Sequence, residues 1–196
     1  MKYRLTRTRR GWVIEGQRVH YVGGRLAEAW EGLFSAAGLT GWRWGSVLLI
    51  GMGASLIELL HRTAAHCPPQ VEVIEIDPEM VALQEAHFPL PLSYRVHLGD
   101  AAQLLPCLQG QFAGVFVDAF VEEQVPLQLQ TTQFVEGLAA RLEPGGLLFW
   151  NALRPSDART IGRLLSQRFP VVRRWRYDAH VFWGAAWEPS AFPLPG

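Results

Sequence analysis

Carboxylates recur at the ends of strand-like runs in this chain. Glu75 and Asp77 close the run that begins Val71-Glu72-Val73-Ile74, Asp100 follows Gly99 just after Tyr94 to Leu98, and Asp118 closes Phe112 to Val117. A further apolar run, Val47-Leu48-Leu49-Ile50, ends instead in Gly51-Met52-Gly53, and a helical pattern through Leu56, Ile57, Leu59 and Leu60 begins at once. Glycines at such a turn carry no Cβ, so a ligand can come close to the backbone beside the helix N-terminus. The acids at 75 and 77 fall roughly 20 residues beyond the glycines, the offset at which a carboxylate grips ribose hydroxyls in nucleotide-binding α/β folds. A carboxylate suits that task because it only accepts and can take two donors. Asp118 sits at a strand's carboxyl end, where binding sites gather in open α/β sheets. Asp77 and Asp100 also have plainer uses, as a favourable charge and a cap at the start of the helices that follow.

These groups need a scaffold, and the chain's periodicity supplies one. Residues 3 to 22 alternate polar and apolar with a break at Gly11, which predicts a β-hairpin or small meander. Helical spacing through Leu26, Trp30, Leu33 and Phe34 follows, with Gly38 as its stop. Pro78 suits the first turn of a helix that runs to Phe88 and is ended by Pro89 and Pro91. Next come a strand over Tyr94 to Leu98, a helix over Ala101 to Leu108, a strand over Phe112 to Val117 and a helix opened by Thr131-Thr132. A turn at Pro144-Gly145-Gly146 precedes a strand over Leu147 to Trp150. Ser156-Asp157 caps a helix, and Val171 to Tyr177 and His180 to Ala186 are two closing strands. Strands alternating with helices imply an α/β fold, a mostly parallel Rossmann-like sheet with right-handed crossovers. The adjacent last strands place one antiparallel strand at its edge. The expected division is a hairpin over 1–24, a nucleotide-binding domain over 25–188 and a loose proline-rich tail over 189–196.

Composition narrows the function. Of the 196 residues 49% are apolar and 18% charged, so a folded domain is expected. Formal net charge is zero, which argues against a broad electrostatic footprint for nucleic acid. The basic clusters at Arg4, Arg7, Arg9 and Arg10 and at Arg173, Arg174 and Arg176 read as solvated strand faces. No apolar run is long enough to cross a bilayer and the N-terminus lacks a signal-peptide core, so a cytoplasmic protein without a membrane partner is expected. Cys67 and Cys107 form no Cys-x-x-Cys pair, and His61, His66 and Cys67 do not match the spacing of helix-borne zinc ligands, so no metal is expected. Glu122 and Glu123 read as loop solubility. Trp12 and Tyr21 on the hairpin offer a surface on which a second copy could pair, giving a homodimer.

Ile50-Gly51-Met52-Gly53, Glu75-Ile76-Asp77, Gly99-Asp100, Val117-Asp118 and Leu142-Glu143-Pro144-Gly145-Gly146 occur in an order that resembles the class I methyltransferase fold. With a β element ahead of the nucleotide domain, the chain more narrowly resembles the spermidine synthase family over residues 10 to 187. The resemblance implies a seven-stranded, mostly parallel sheet that binds S-adenosylmethionine or its decarboxylated form as co-substrate. It implies Gly51, Gly53 and Ala54 along the nucleoside and sulfonium chain, and Glu75 on both ribose hydroxyls with Ile76 and Asp77 beside it. It implies Asp100 accepting from the adenine amino group, Ala101 offering backbone to the ring, and Asp118 as the catalytic aspartate. The acceptor would be a small molecule, attacking in line at a sulfonium-bound carbon and receiving an aminopropyl or a methyl group. An amine acceptor must arrive unprotonated, and Asp118 would hold the ammonium or take its proton.

The chain also departs from that family. Spermidine synthases write Gly-Gly-Gly-Asp-Gly at the first turn, and Ala54 stands at the aspartate position. Their Asp-Ser-Ser-Asp after the fourth strand is here Asp118-Ala119-Phe120-Val121, which keeps the first acid and lacks the second. A tyrosine-containing polyamine-binding segment is not recognisable around Gly23 to Trp30. The Asn-Pro-Pro-Tyr signature of amino-methylating nucleic-acid enzymes is absent as well. Methyl transfer to a non-polyamine acceptor, and nucleoside binding without turnover, therefore stand as alternatives. A nicotinamide dehydrogenase would want a third glycine where Leu56 stands.

Overall fold

In the computed structural model, which describes residues 2–9, 11–66, 68, 70–88 and 93–192, three short strands come first. They are β1 (Arg4–Thr8), β2 (Gly11–Glu15) and β3 (His20–Val22), paired antiparallel in sequence order as the expected meander. α1 (Gly24–Ala36) follows and buries Leu26, Ala29, Trp30, Leu33 and Phe34 along one stripe. The chain then alternates through β4 (Val47–Ile50), α2 (Ala54–Thr63), β5 (Val71–Glu75), α3 (Pro78–His87), β6 (Arg95–Leu98) and α4 (Ala101–Leu104). It continues with β7 (Phe112–Val117), α5 (Thr132–Arg141), β8 (Leu142–Ala152), α6 (Pro155–Arg168), β9 (Val171–Tyr177) and β10 (His180–Ala186). Arg10, Cys67, Pro89 and Pro91, and the tail beyond Phe192, lie outside the described residues.

β4 to β10 make one seven-stranded sheet in the order β6-β5-β4-β7-β8-β10-β9. The pairings among β4 to β8 are parallel, and β10 runs antiparallel to both β8 and β9. The chain leaves β4 in one direction to build β5 and β6, then returns to its other side for β7. That reversal is a topological switch point, where a crevice opens at the strands' carboxyl ends. Register delivers the site to it. Ile50 lies opposite both Ile74 and Val117, so Gly51, Glu75 and Asp118 emerge side by side. Glu75 in turn pairs with Leu98, which brings Gly99-Asp100 to the same edge.

Alternate residues of the central strands feed two apolar clusters, one on each face. Val47, Leu49, Val71, Val73, Phe116 and Phe149 pack with α1 and α2, and Tyr3, Ile14 and Val22 of the small sheet join them. Leu48, Ile50, Ile74, Val115, Val117 and Trp150 pack with α5 and α6 on the other side. This is why the strands read as continuous apolar runs. Among the described residues no helix is long and apolar enough to cross a membrane.

Four local expectations are corrected. The antiparallel strand is not at the edge: β10 lies inside and β9 outside. Burial decides this, since Val181, Phe182, Ala185 and Ala186 of β10 are covered while Arg173 and Arg174 of β9 are exposed. Pro144-Gly145-Gly146 is not a separate turn before a strand. β8 already starts at Leu142, and the register jumps from Phe112 opposite Leu142 to Gly114 opposite Leu147, so the intervening residues are absorbed as a bulge. Ser156-Asp157 does not cap α6. Arg154 holds the cap position without a side-chain bond, Pro155 starts the helix, and Asp157 is buried and accepts the Val125 N–H at 3.0 Å. The tail is packed as far as Phe192, whose ring is buried against Phe149 and Trp175.

Candidate active site

A cavity of about 460 Å³ opens at the carboxyl ends of β4 to β7. Ile50, Gly51 and Met52 lie on its floor, with Glu75, Ile76 and Asp77 on one bank, Gly99, Asp100 and Ala101 beyond them, and Asp118 on the other bank. Lys2 and Tyr3, just ahead of β1, and Tyr21 of β3 form a roof, and the loop after β7 contributes Ala119, Phe120, Val121 and Leu127 as a lip.

Glu75 is buried and organises the glycine turn. Its Oε2 accepts the Met52 N–H at 2.7 Å and its Oε1 accepts the Asp77 N–H at 2.8 Å. Burial pushes its carboxyl above the ordinary range, and those backbone donors oppose the shift. A carboxylate has more lone pairs than these two bonds use, so acceptor capacity remains for hydroxyls in the cavity. Gln84 on α3 completes the fixture by donating Nε2 to the Met52 carbonyl at 2.7 Å. Met52 is thereby held at both its N–H and its C=O.

The two glycines serve different ends. Gly51 has φ +92°, and a Cβ there would stand 2.4 Å from the backbone oxygen of Asp118. Its missing side chain lets the end of β4 pass close to the end of β7. Gly53 has an ordinary φ of −83°, and its open side faces Leu56 and Leu49. Neither Gly53 nor Ala54 lines the cavity, and Ala54 is buried in the apolar cluster under α1. Gly51, Glu75, Ile76, Asp77, Asp100, Ala101 and Asp118 are brought together there.

Asp77 and Asp100 are occupied structurally while lining the cavity. Asp77 accepts the Glu79 N–H at 3.0 Å as the cap of α3, and its other oxygen takes the Lys2 ammonium at 2.5 Å and the Tyr3 hydroxyl. Those partners hold its carboxyl below the ordinary range against the opposing effect of burial. Asp100 caps α4 through the Ala102 N–H at 2.9 Å.

Asp118 is the centre of a polar relay. Its Oδ2 accepts from Trp30 Nε1 at 2.9 Å and its Oδ1 from Asn151 Nδ2 at 3.0 Å. Asn151 is itself buried and meets Nδ1 of buried His180 at 3.0–3.1 Å. Desolvation pushes the Asp118 carboxyl up to about 6, with the Asn151 and Trp30 donors pulling the other way. Burial likewise pushes His180 down to about 4, so it is neutral at physiological pH. Sequence reasoning took Trp30 for core alone and assigned nothing to Asn151 or His180. Asn151 carried a legible signal, as a polar residue ending the apolar run Leu147 to Trp150.

Of the two loop acids, Glu123 is exposed as expected and Glu122 is not. Glu122 is not a solubility residue. Its two oxygens accept the Gln17 and Arg18 N–H groups at 3.1 and 2.9 Å, and its own N–H donates to the Tyr21 hydroxyl at 2.8 Å. It ties the loop after β7 to the small sheet. Tyr21, read as a dimer surface, faces the cavity.

The strand order and the crevice at the switch point define the class I methyltransferase fold. Within that fold the chain's sequence is similar to polyamine aminopropyltransferases over part of its length. A probable polyamine aminopropyl transferase of Bifidobacterium longum is 26% identical over 130 residues, 65% of this chain and 28% of that protein. A polyamine aminopropyltransferase of Vibrio vulnificus is 30% identical over 117 residues, 56% of this chain and 38% of that protein. The chain thus spans well under half the length of the curated relatives it matches. A probable spermidine synthase from Corynebacterium glutamicum superposes with a TM-score of 0.72 at 16% identity, covering 94% of this chain and 76% of its own. A spermidine synthase solved with the transition-state analogue AdoDATO gives 0.70 at 14% identity, with coverage of 97% and 73%. Human methyltransferase-like protein 13, solved with SAH, gives 0.66 at 16%, with coverage of 87% and 84%. No protein-family profile matches the chain.

Proposed function

We propose that this chain binds an adenosyl sulfonium, S-adenosylmethionine or its decarboxylated form, and transfers the sulfonium-bound group to a small acceptor nucleophile. The observation that carries this reading is the convergence of Glu75, the Gly51-Met52 turn and Asp118 on one cavity at the switch point of the sheet. Similarity to polyamine aminopropyltransferases and to proteins solved with SAH or AdoDATO supports it.

The residues present fit such a nucleoside. Glu75 has acceptor positions left for ribose hydroxyls, and Ile76, 61% exposed on the cavity bank, offers an apolar face to a base. Asp100 and Ala101 line the cavity further along that bank, and on this reading they meet the adenine edge. When bound, the sulfonium supplies an electrophilic carbon, and the protein's work is alignment of a nucleophile. Asp118 does this for an amine. Trp30 and Asn151 fix both its oxygens, and a carboxyl titrating near 6 is ionised at neutral pH yet basic enough to take a proton. Aminopropyl transfer is the first reading because the curated relatives carry that name. Methyl transfer is the second, favoured by the apolar lip at Phe120 and Val121.

Calorimetry of the full chain with S-adenosylmethionine, its decarboxylated form and methylthioadenosine tests the reading. At least one should bind, and Glu75→Gln should weaken it by about tenfold or more, the loss of a charged hydrogen bond. Binding of none of the three by the folded chain would refute it. Tight binding of the carboxylate-bearing form alone would assign methyl transfer.

A further inference from the structure

The acids around the cavity are unevenly placed. Glu75, Asp77 and Asp100 all lie on the bank opposite Asp118, and each already accepts backbone or side-chain donors. Beyond Asp118 the wall continues as Ala119, Phe120, Val121 and Leu127, with the neutral amides of Gln124 and Gln128 among them and, among the described residues, no further carboxylate. Val121 is 67% exposed and Leu127 69%, high values for residues of this kind at a cavity mouth.

The lip is braced. Val121 and Gln124 exchange backbone hydrogen bonds at 2.9 and 3.1 Å, the Val125 N–H is held by Asp157 at 3.0 Å, and Gln130 Nε2 reaches the Val125 carbonyl at 2.8 Å. The apolar pair is thus presented to the mouth by a fixed backbone. Of the two acids of the same loop, Glu122 is committed elsewhere and Glu123 is exposed, and neither lines the cavity. Glu122 accepts the Gln17 and Arg18 N–H groups, and Glu123 lies 4.0 Å from the Arg18 guanidinium.

We infer that the acceptor has a single basic nitrogen on an apolar body, and that a diamine is a poor substrate. This rests on the transferase reading above. Asp118 receives the one nitrogen, and Phe120, Val121 and Leu127 take the hydrocarbon. A second ammonium would be desolvated against those side chains with no carboxylate to meet it. In the step itself, the amine lone pair forms the C–N bond as the C–S bond breaks. The electron pair leaves with sulfur, which becomes a neutral thioether, and one N–H proton passes to Asp118.

The test uses the full chain with whichever adenosyl sulfonium binds it, and reads transfer to n-alkylamines and to 1,4-diaminobutane by mass spectrometry. kcat/KM should rise about fourfold per methylene from propylamine to hexylamine. Pentylamine, which matches the diamine in length with a methyl in place of the second nitrogen, should exceed it by at least about tenfold, the discrimination of a pocket lacking one partner group. Val121→Asp, a change on the exposed lip, should narrow or reverse that preference. A diamine preferred by the unaltered chain, a flat alkylamine series, or no transfer to any amine despite nucleoside binding would each overturn the inference. Absence of nucleoside binding would instead strike the transferase reading.

Discussion

Replacing Asp118 by asparagine should stabilise the ligand-free fold at neutral pH while abolishing transfer. The carboxyl is pushed from 3.8 to about 6, chiefly by desolvation. At about 1.4 kcal/mol per unit, the ceiling on the destabilisation is about 3 kcal/mol. The side of Asp118 that lines the cavity is partly open to water, and screening there reduces the effect to about 1–2 kcal/mol. The sign follows from proton counting. Between the unfolded and folded values the native state binds more protons than the unfolded one, so stability falls as pH rises from about 4 to about 6 and stays low above.

Asparagine cannot ionise and escapes that penalty. Its carbonyl can accept from Trp30, and its amide can donate to Asn151 once that amide turns over, with His180 Nδ1 then accepting. Thermal melts of both proteins at pH 7.5 and 4.5 provide the assay. At pH 7.5 the variant should melt about 2–8 °C higher, from about 2–4 °C per kcal/mol for a chain of this size. At pH 4.5 the gap should shrink by roughly a third to two thirds. A variant that melts lower at pH 7.5, or a gap that does not depend on pH, would refute the reasoning.

Gly51→Ala should destabilise by about 2 kcal/mol or more, because it adds a left-handed-region penalty to a Cβ placed 2.4 Å from the Asp118 carbonyl. It should also lower kcat by displacing Asp118, and chemical denaturation with steady-state kinetics reads both. Asn151→Ala removes one donor from the Asp118 carboxylate and orphans His180, so it should cost about 1–3 kcal/mol. The lost donor had lowered the Asp118 carboxyl, so the acid limb of the pH–activity profile should move to higher pH, a change that simple loosening would not produce.

The strand order and most of the cavity were legible because both depend on local signals. Apolar runs buried on two faces announce a parallel sheet, and a residue ending such a run must emerge at the carboxyl edge. That is how Glu75, Asp100 and Asp118 could be placed before any contact was known. Trp30, Gln84 and His180 were not legible. Their roles arise from long-range approach, α1 and α3 against the sheet and β10 against β8, and at helical or strand spacing each reads as ordinary core. Asn151 ends an apolar run, but nothing local says which neighbour a buried amide will find. Glu122 failed for a similar reason, because its partners lie about a hundred positions away in the β2–β3 turn.

The small sheet does more than shade the cavity. Lys2 and Tyr3 grip Asp77 on one side, Tyr21 and the β2–β3 turn grip Glu122 on the other, and Ser55 receives the Gly23 N–H at the hinge line. It works as a buckle fastened to both shores. A guest beneath it would be held in part by these fastenings. Dwell time should therefore answer to substitutions at Lys2 or Tyr21, which line the cavity as its roof.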